Sequence, residues 1–197
     1  MEKKFTTKEM AMCGLFAALV ACGAFIQIPV PGMDYFTLQF LFVLMAGLLL
    51  GSRNGAIAVG IYVLLGLIGL PIFAAGGGIT YVLRPSFGYL FGFIVAAFVT
   101  GKIAEKIGKN QFLWYLPAVA GGFVTTYAIG LVYKYFMLNF YVGEKTAFTM
   151  VILDCFPLDM PGDILLSLLS ALLAVRLVPV VRKMMYSHRA HARQKAR

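Results

Sequence analysis

Charge is scarce in this chain. Only 13% of its 197 residues are Asp, Glu, Lys or Arg, about half the share usual in soluble domains. Hydrophobic residues make up 61%, and mean hydropathy is +0.87. Such an apolar excess leaves no water-facing shell around one soluble core, so the chain reads as an integral membrane protein. Cysteine is scarce too. Cys13, Cys22 and Cys155 offer no CxxC and no even set. Cys13 and Cys22 stand about 13 Å apart along one helix, too far to bridge. All three read as small apolar packing residues.

Motifs for bond chemistry are missing as well. Gly143-Glu-Lys-Thr146 is the nearest approach to a nucleotide loop, and it lacks the GxxxxGK spacing. No GxSxG or HExxH occurs. His188 and His191 lie in a Lys/Arg tail without Cys or carboxylate company, so they read as solvated residues and no metal is expected. Asp159 and Asp163 share one segment at a membrane boundary, whereas an intramembrane aspartyl protease needs carboxylates deep on two helices. These absences argue against an enzyme and against a resident cofactor. The net charge of +9 sits in short runs between apolar segments, with no aromatic-interleaved basic face. Topology explains it better than nucleic acid does.

What is present is a series of apolar segments. Charge-free stretches predict an all-α membrane protein with six helices near 11–28, 36–51, 55–70, 86–101, 112–137 and 163–181. Residues 1–181 form one membrane domain and 182–197 a basic tail. The first apolar run has no cleavage-like site and is followed by further spans, which argues against a removed signal peptide. Six spans place both termini on one side. That side then holds fourteen of the 17 basic residues and leaves Arg84, Lys134 and Lys145 on the other. Positive charge marks the cytoplasmic face, so both termini are expected inside. Asp34, Glu144, Asp154, Asp159 and Asp163 then face out, with Glu2, Glu9 and Glu105 inside. The outer connections 71–85 and 138–162 are long and rich in Gly, Pro and aromatics, as binding loops often are. No internal repeat suggests an inverted-repeat transporter.

Three features invite function. Gly14, Ala17, Ala18, Ala21 and Cys22 make a face of small side chains on the first helix. In lipid such a face admits a close partner helix, either one of this chain's own or another subunit's. Arg84 is the only charge between Arg53 and Lys102, and an arginine near lipid costs roughly 2.5–3.5 kcal/mol on insertion scales. It either reaches headgroups or grips a carboxylate with its planar fork. Asp163 follows Pro161-Gly162, as an N-cap of the last helix or as an acceptor for ligand N–H groups. Aromatics including Phe36, Phe73, Tyr81, Phe87, Tyr89, Phe140, Tyr141 and Phe156 crowd the same outer side, as belt, packing or pocket wall. Together they describe a small ligand with a carboxylate, an apolar body and polar N–H groups.

The motifs carry a resemblance. Pro29-Val-Pro31, Phe36-Thr-Leu-Gln39, Ala46-Gly-Leu-Leu-Leu-Gly51, Gly66-Leu-Ile-Gly-Leu-Pro-Ile-Phe73, Arg84-Pro-Ser-Phe-Gly-Tyr89 and Pro161-Gly-Asp163 occur in order. The sequence resembles the BioY family over most of residues 10–175. These are biotin-specific substrate-binding subunits of energy-coupling-factor (ECF) transporters. The resemblance implies capture of biotin at the outer face of a prokaryotic cell membrane. It also implies a transmembrane coupling subunit and two ATPase subunits as partners. Arg84 matches the arginine that holds the biotin carboxylate, and Asp163 the aspartate at the ureido ring. Tyr89, Phe73 and Tyr81 are expected in the pocket, while Ala17, Ala21, Gly14 and Ala18 would meet the coupling subunit. Family members often carry a lysine three residues after that aspartate; here the position is Leu166. A substrate-binding subunit for another small vitamin or a biotin precursor is the alternative, with a non-transport membrane subunit after it.

Overall fold

The computed structural model describes residues 5–29, 35–155 and 159–195, with side chains as far as Met184. Glu2, Lys3, Lys4, Pro31, Asp34, Phe156 and Arg197, and the side chains of His188 and His191, lie outside the described residues.

The fold is helical: α1 (Thr7–Phe25), α2 (Gln39–Leu50), α3 (Ser52–Ile68), α4 (Phe87–Ile107), α5 (Phe112–Phe136), α6 (Phe148–Cys155) and α7 (Asp159–Lys195). Among the described residues, four helical stretches are long and apolar enough to cross a membrane: Thr7–Phe25, Phe87–Ile107, Phe112–Val142 and Asp159–Met184. Helices α2 and α3 are apolar but shorter, about 18 and 26 Å at 1.5 Å per residue. They fall short of a roughly 30 Å hydrocarbon core by themselves.

Helix α2 is the centre of the bundle, packed by α1, α3, α4 and α7. Every residue of it except Phe42 is buried, so it is apolar all round rather than amphipathic. The periphery is apolar too. Leu15, Phe25, Leu64, Ile68, Phe91, Leu113, Val124, Leu165 and Leu172 are all exposed, as expected of side chains that face lipid.

Local chemistry sets the helix ends. At α1, Thr6 and Glu9 form a capping box, with Thr6 Oγ1 accepting from Glu9 N at 3.3 Å and Glu9 Oε2 from Thr6 N at 2.9 Å. At α3 the N-cap is Gly51, which has no side chain to offer. Glu105 reaches over from α4 instead, accepting from Ser52 N at 2.8 Å and Ser52 Oγ at 2.9 Å. Glu105→Ala is therefore expected to cost about 1 kcal/mol, the usual value of a lost cap. Thermal unfolding of the purified chain checks it, with a shift of roughly 2–4 °C downward.

Several expectations are corrected. The first helix ends at Phe25, and β1 (Gln27–Pro29) pairs with β2 (Tyr35–Thr37) as a small antiparallel hairpin. Pro29 lacks an N–H and holds Ile28 extended, which explains the break. The 138–162 connection is not a bare loop. It holds a π-helical turn at Met137–Val142 and the short helix α6. Asn139 ties that turn together, donating to Tyr135 O and Thr146 O at 3.0 Å each. The glycine-rich connection contains a 3₁₀ turn at Ile79–Leu83. The last helix begins at Asp159, not Asp163, and runs past residue 181 to Lys195. Pro161 fits its first turn, where no intrahelical N–H bond is made.

Hydrogen bonds gather the connections at two ends. Lys8 Nζ donates to Met184 O at 3.2 Å and Asn110 Nδ2 to Val175 O at 3.0 Å. With the Ser52–Glu105 contact, these join the ends of α1, α4 and α7 to the α2–α3 turn. At the opposite end, the hairpin, the 3₁₀ turn, α6 and the start of α7 come together.

Candidate ligand-binding site

A cavity of about 580 Å³, counted with its open mouth, lies at that second end. Its walls come from the hairpin and α2 (Phe36, Thr37, Gln39, Phe40), the 3₁₀ turn (Tyr81), α4 with its N-cap (Ser86, Tyr89, Leu90, Phe93), α5 (Tyr127) and α7 (Asp159, Asp163). Six of its twelve wall residues are aromatic and five carry other polar side chains (Thr37, Gln39, Ser86, Asp159 and Asp163), so a small ligand would meet apolar faces and convergent polar groups together.

Asp163 sits one turn inside α7, so it is not the N-cap. Its carboxylate accepts a hydrogen bond from the Tyr127 hydroxyl at 2.8 Å. Tyr127 is held in turn by Phe123, at 4.5 Å between ring centroids, and by an edge contact with Tyr89 at 5.8 Å. One oxygen of Asp163 thus fixes the carboxylate. The other has acceptor capacity for a ligand. Tyr89 lies across α5 at Gly130, where any Cβ would run into its ring. Its hydroxyl meets Cys155 Sγ at 3.2 Å. Lys134 Nζ approaches Asp154 to 3.8 Å and Cys155 Sγ to 3.9 Å, fastening α6 beside the cavity. Burial pushes the Cys155 thiol above its ordinary range, so the thiol stays neutral.

The glycine-rich connection places Tyr81 and Arg84. Phe73 folds back onto Gly66 of α3, a place a side chain at 66 would fill. Its ring packs on Tyr62 at 5.5 Å and on Tyr81 at 4.6 Å. Phe73 therefore stands behind the wall and supports Tyr81. Arg84 is extended (φ −80°, ψ 138°), as the following proline favours. It is exposed and outside the cavity's wall, with its guanidinium 5.3 Å from the ring centroid of Tyr81, which is part of that wall.

Sequence reasoning missed Gln39 and Tyr127 as site residues. Gln39 is a buried amide in an apolar helix, which is a readable signal. It donates from Nε2 to the Tyr62 hydroxyl, and its Oε1 accepts from Thr37 Oγ1 at 3.1 Å. Tyr62 passes the chain on to Ile72 O at 3.2 Å. Tyr127 carries no such signal, because only the packing of α5 on α7 brings it to Asp163.

The small face of α1 divides. Ala17 is buried at 6% exposure and packs into this chain's own core. Gly14, Ala18 and Cys22 are exposed and Ala21 is half-buried. Nothing lies within 4 Å of where a Cβ on Gly14 would stand. Leu166, where family members often carry a lysine, is buried at 9% exposure.

Comparison with known proteins settles the family. The BioY family profile matches residues 1–183. The chain belongs to the BioY family. A "Probable biotin transporter BioY" of Lysinibacillus sphaericus is 43% identical over 182 residues, covering 92% of each chain. The "Biotin transporter BioY" of Thermotoga maritima is 46% identical over 138 residues, 70% of this chain and 78% of that one. The crystal structure of the S-component for biotin from an ECF-type ABC transporter is similar at TM-score 0.74 and 25% identity. That similarity covers 88% of this chain and 94% of the other. This chain therefore has the S-component fold.

Proposed function

We propose that this BioY-family chain is the biotin-binding subunit of an ECF-type transporter and takes up biotin rather than transforming it. The cavity carries the reading. It offers a carboxylate acceptor at Asp163, aromatic walls, and a guanidinium beside Tyr81, which suit the ureido ring, the thiophane body and the carboxylate of biotin respectively. Tyr89 and Tyr81 wall the apolar part, with Phe73 acting through Tyr81. The biotin transporters to which the chain is similar support the same ligand.

Six crossings remain the topology we favour for residues 1–181, with α2 and α3 as short spans lengthened by the hairpin and the 3₁₀ turn. Both termini then face the cytoplasm, since the end that joins α1, the α2–α3 turn and α7 carries most of the basic residues. The cavity opens outside the cell membrane. ATP hydrolysis belongs to two partner subunits, which act through a transmembrane coupling subunit. We place that contact on the exposed Gly14, Ala18 and Cys22 stripe of α1, with Ala21 at its edge. Ala17 supports the stripe from beneath.

Leu166 favours a second reading. With no lysine there to meet a ureido carbonyl, a related vitamin or a biotin precursor becomes a competing ligand. Titrating the purified chain with biotin decides between them. Saturable tight binding is expected, and its absence would end the biotin reading. Arg84→Ala should weaken biotin roughly 10-fold, the scale of a charge-assisted hydrogen bond. Amide-capped biotin should lose much less. Equal losses would remove Arg84 from the carboxylate.

A further inference from the structure

Ser86 holds a hydroxyl that its own helix does not use. It is the N-cap residue of α4, a position where serine normally accepts from the backbone N–H two or three residues on. Here its backbone is already in the right-handed helical region (φ −74°, ψ −15°), and its side chain makes no capping bond. The Oγ is shielded from solvent and has no hydrogen-bond partner, yet Ser86 lines the cavity. Among the described residues, the other buried side-chain oxygens in that condition are those of Thr100 and Thr126, which are packed between helices near Gly47 and Gly92. A buried hydroxyl without a partner is a costly arrangement unless something else supplies the bond.

The surroundings of Ser86 narrow that partner. Arg84 stands two residues before it, beside the wall residue Tyr81. The two acidic side chains of the wall, Asp159 and Asp163, come from α7 and offer acceptors rather than donors. The short link from the 3₁₀ turn into α4 therefore carries two donors, the charged, exposed Arg84 beside the wall residue Tyr81 and the neutral, shielded Ser86 within the wall.

We propose that the Ser86 hydroxyl donates a hydrogen bond to the carboxylate of the captured ligand, inside the cavity and alongside the Arg84 guanidinium. This rests on the biotin reading, and deepens it. The two donors differ in kind. The Arg84 contact is exposed and weakens as salt screens it, whereas the Ser86 bond is short-range and shielded. Ser86 thereby selects for an acid end group in a place where ionic strength has little influence.

The experiment compares biotin with biotinol, which keeps the rings but ends in an alcohol, on the purified full chain. Wild-type affinity for biotin tests the biotin reading by itself, so a failure of that reading is distinct from a failure of the Ser86 contact. Ser86→Ala should weaken biotin on the order of 10-fold at both 0.1 M and 1 M NaCl, and leave biotinol within about twofold. The ligand-free variant should unfold at the wild-type temperature, since no capping bond is lost. Should Ser86→Ala fold poorly, Ser86→Cys keeps the bulk with a weaker donor and should give a smaller loss of the same pattern. Unchanged biotin affinity in a folded variant overturns the proposal. Equal losses for biotin and biotinol also overturn it, because the bond would then go to the rings.

Discussion

Asp163→Asn should weaken biotin binding by about 100-fold while leaving the chain folded. A hydrogen bond from a ligand N–H to a carboxylate is worth roughly 1.5–3 kcal/mol, and 1.4 kcal/mol is a factor of ten. Asparagine can still accept from the Tyr127 hydroxyl with its one oxygen, which preserves the 2.8 Å bond. Its NH₂ then points where the second carboxylate oxygen was, donor against donor with the ureido N–H. The loss is therefore larger than that of a bond simply removed. Tyr127→Phe should cost less, about 3–10-fold, because it frees the carboxylate to turn without discharging it. Isothermal titration of the three proteins gives the order, wild type tightest and Asp163→Asn weakest. Were Asp163→Asn to bind as the wild type does, the carboxylate would have no ligand role. The N-cap explanation would not return, because α7 starts four residues earlier.

The second large effect separates binding from transport. Ala18→Trp should abolish uptake in cells while biotin affinity of the purified chain stays within about twofold. Ala18 is exposed on α1, so an indole there meets lipid in the isolated chain at little cost. Close helix packing in a membrane depends on small residues, because lipid tails already satisfy apolar surface and only good contact drives association. A tryptophan on that stripe would hold a coupling subunit away by several ångströms. Copurification of the coupling subunit is the measurement. A complex that assembles normally would remove the stripe from the interface. Ala17 is unsuited to this test. It is buried in the chain's own core, and a large side chain there would damage the fold and the site together.

The two substitutions show where sequence and structure part. Motifs point to Asp163, Tyr89 and Tyr81, and all three line the cavity. The same motifs point to Phe73, which supports the wall from behind, since a run of residues cannot say which aromatic is outermost. Helical spacing makes the α1 stripe one face. Burial splits it, because a 100° face is wide enough to touch both the core and whatever lies beyond.

The sequence by itself determined the membrane class, the helical architecture and the family. Each depends on properties that are additive along the chain: apolar run length, charge spacing and ordered motifs. The positions of breaks are legible where a proline or glycine removes a donor or a side chain, and less so elsewhere. The pairing of β1 with β2 and the short helix α6 escape such a reading, because each is too short to show a period and is stabilised by what it packs against. Only tertiary structure assembles the cavity. Gln39, Tyr127 and Asp163 come from three helices and Ser86 from the N-cap of a fourth, and their meeting depends on α4 packing on α5 and α5 on α7. Such contacts between residues far apart in the chain are a property of the packing, which no local pattern encodes.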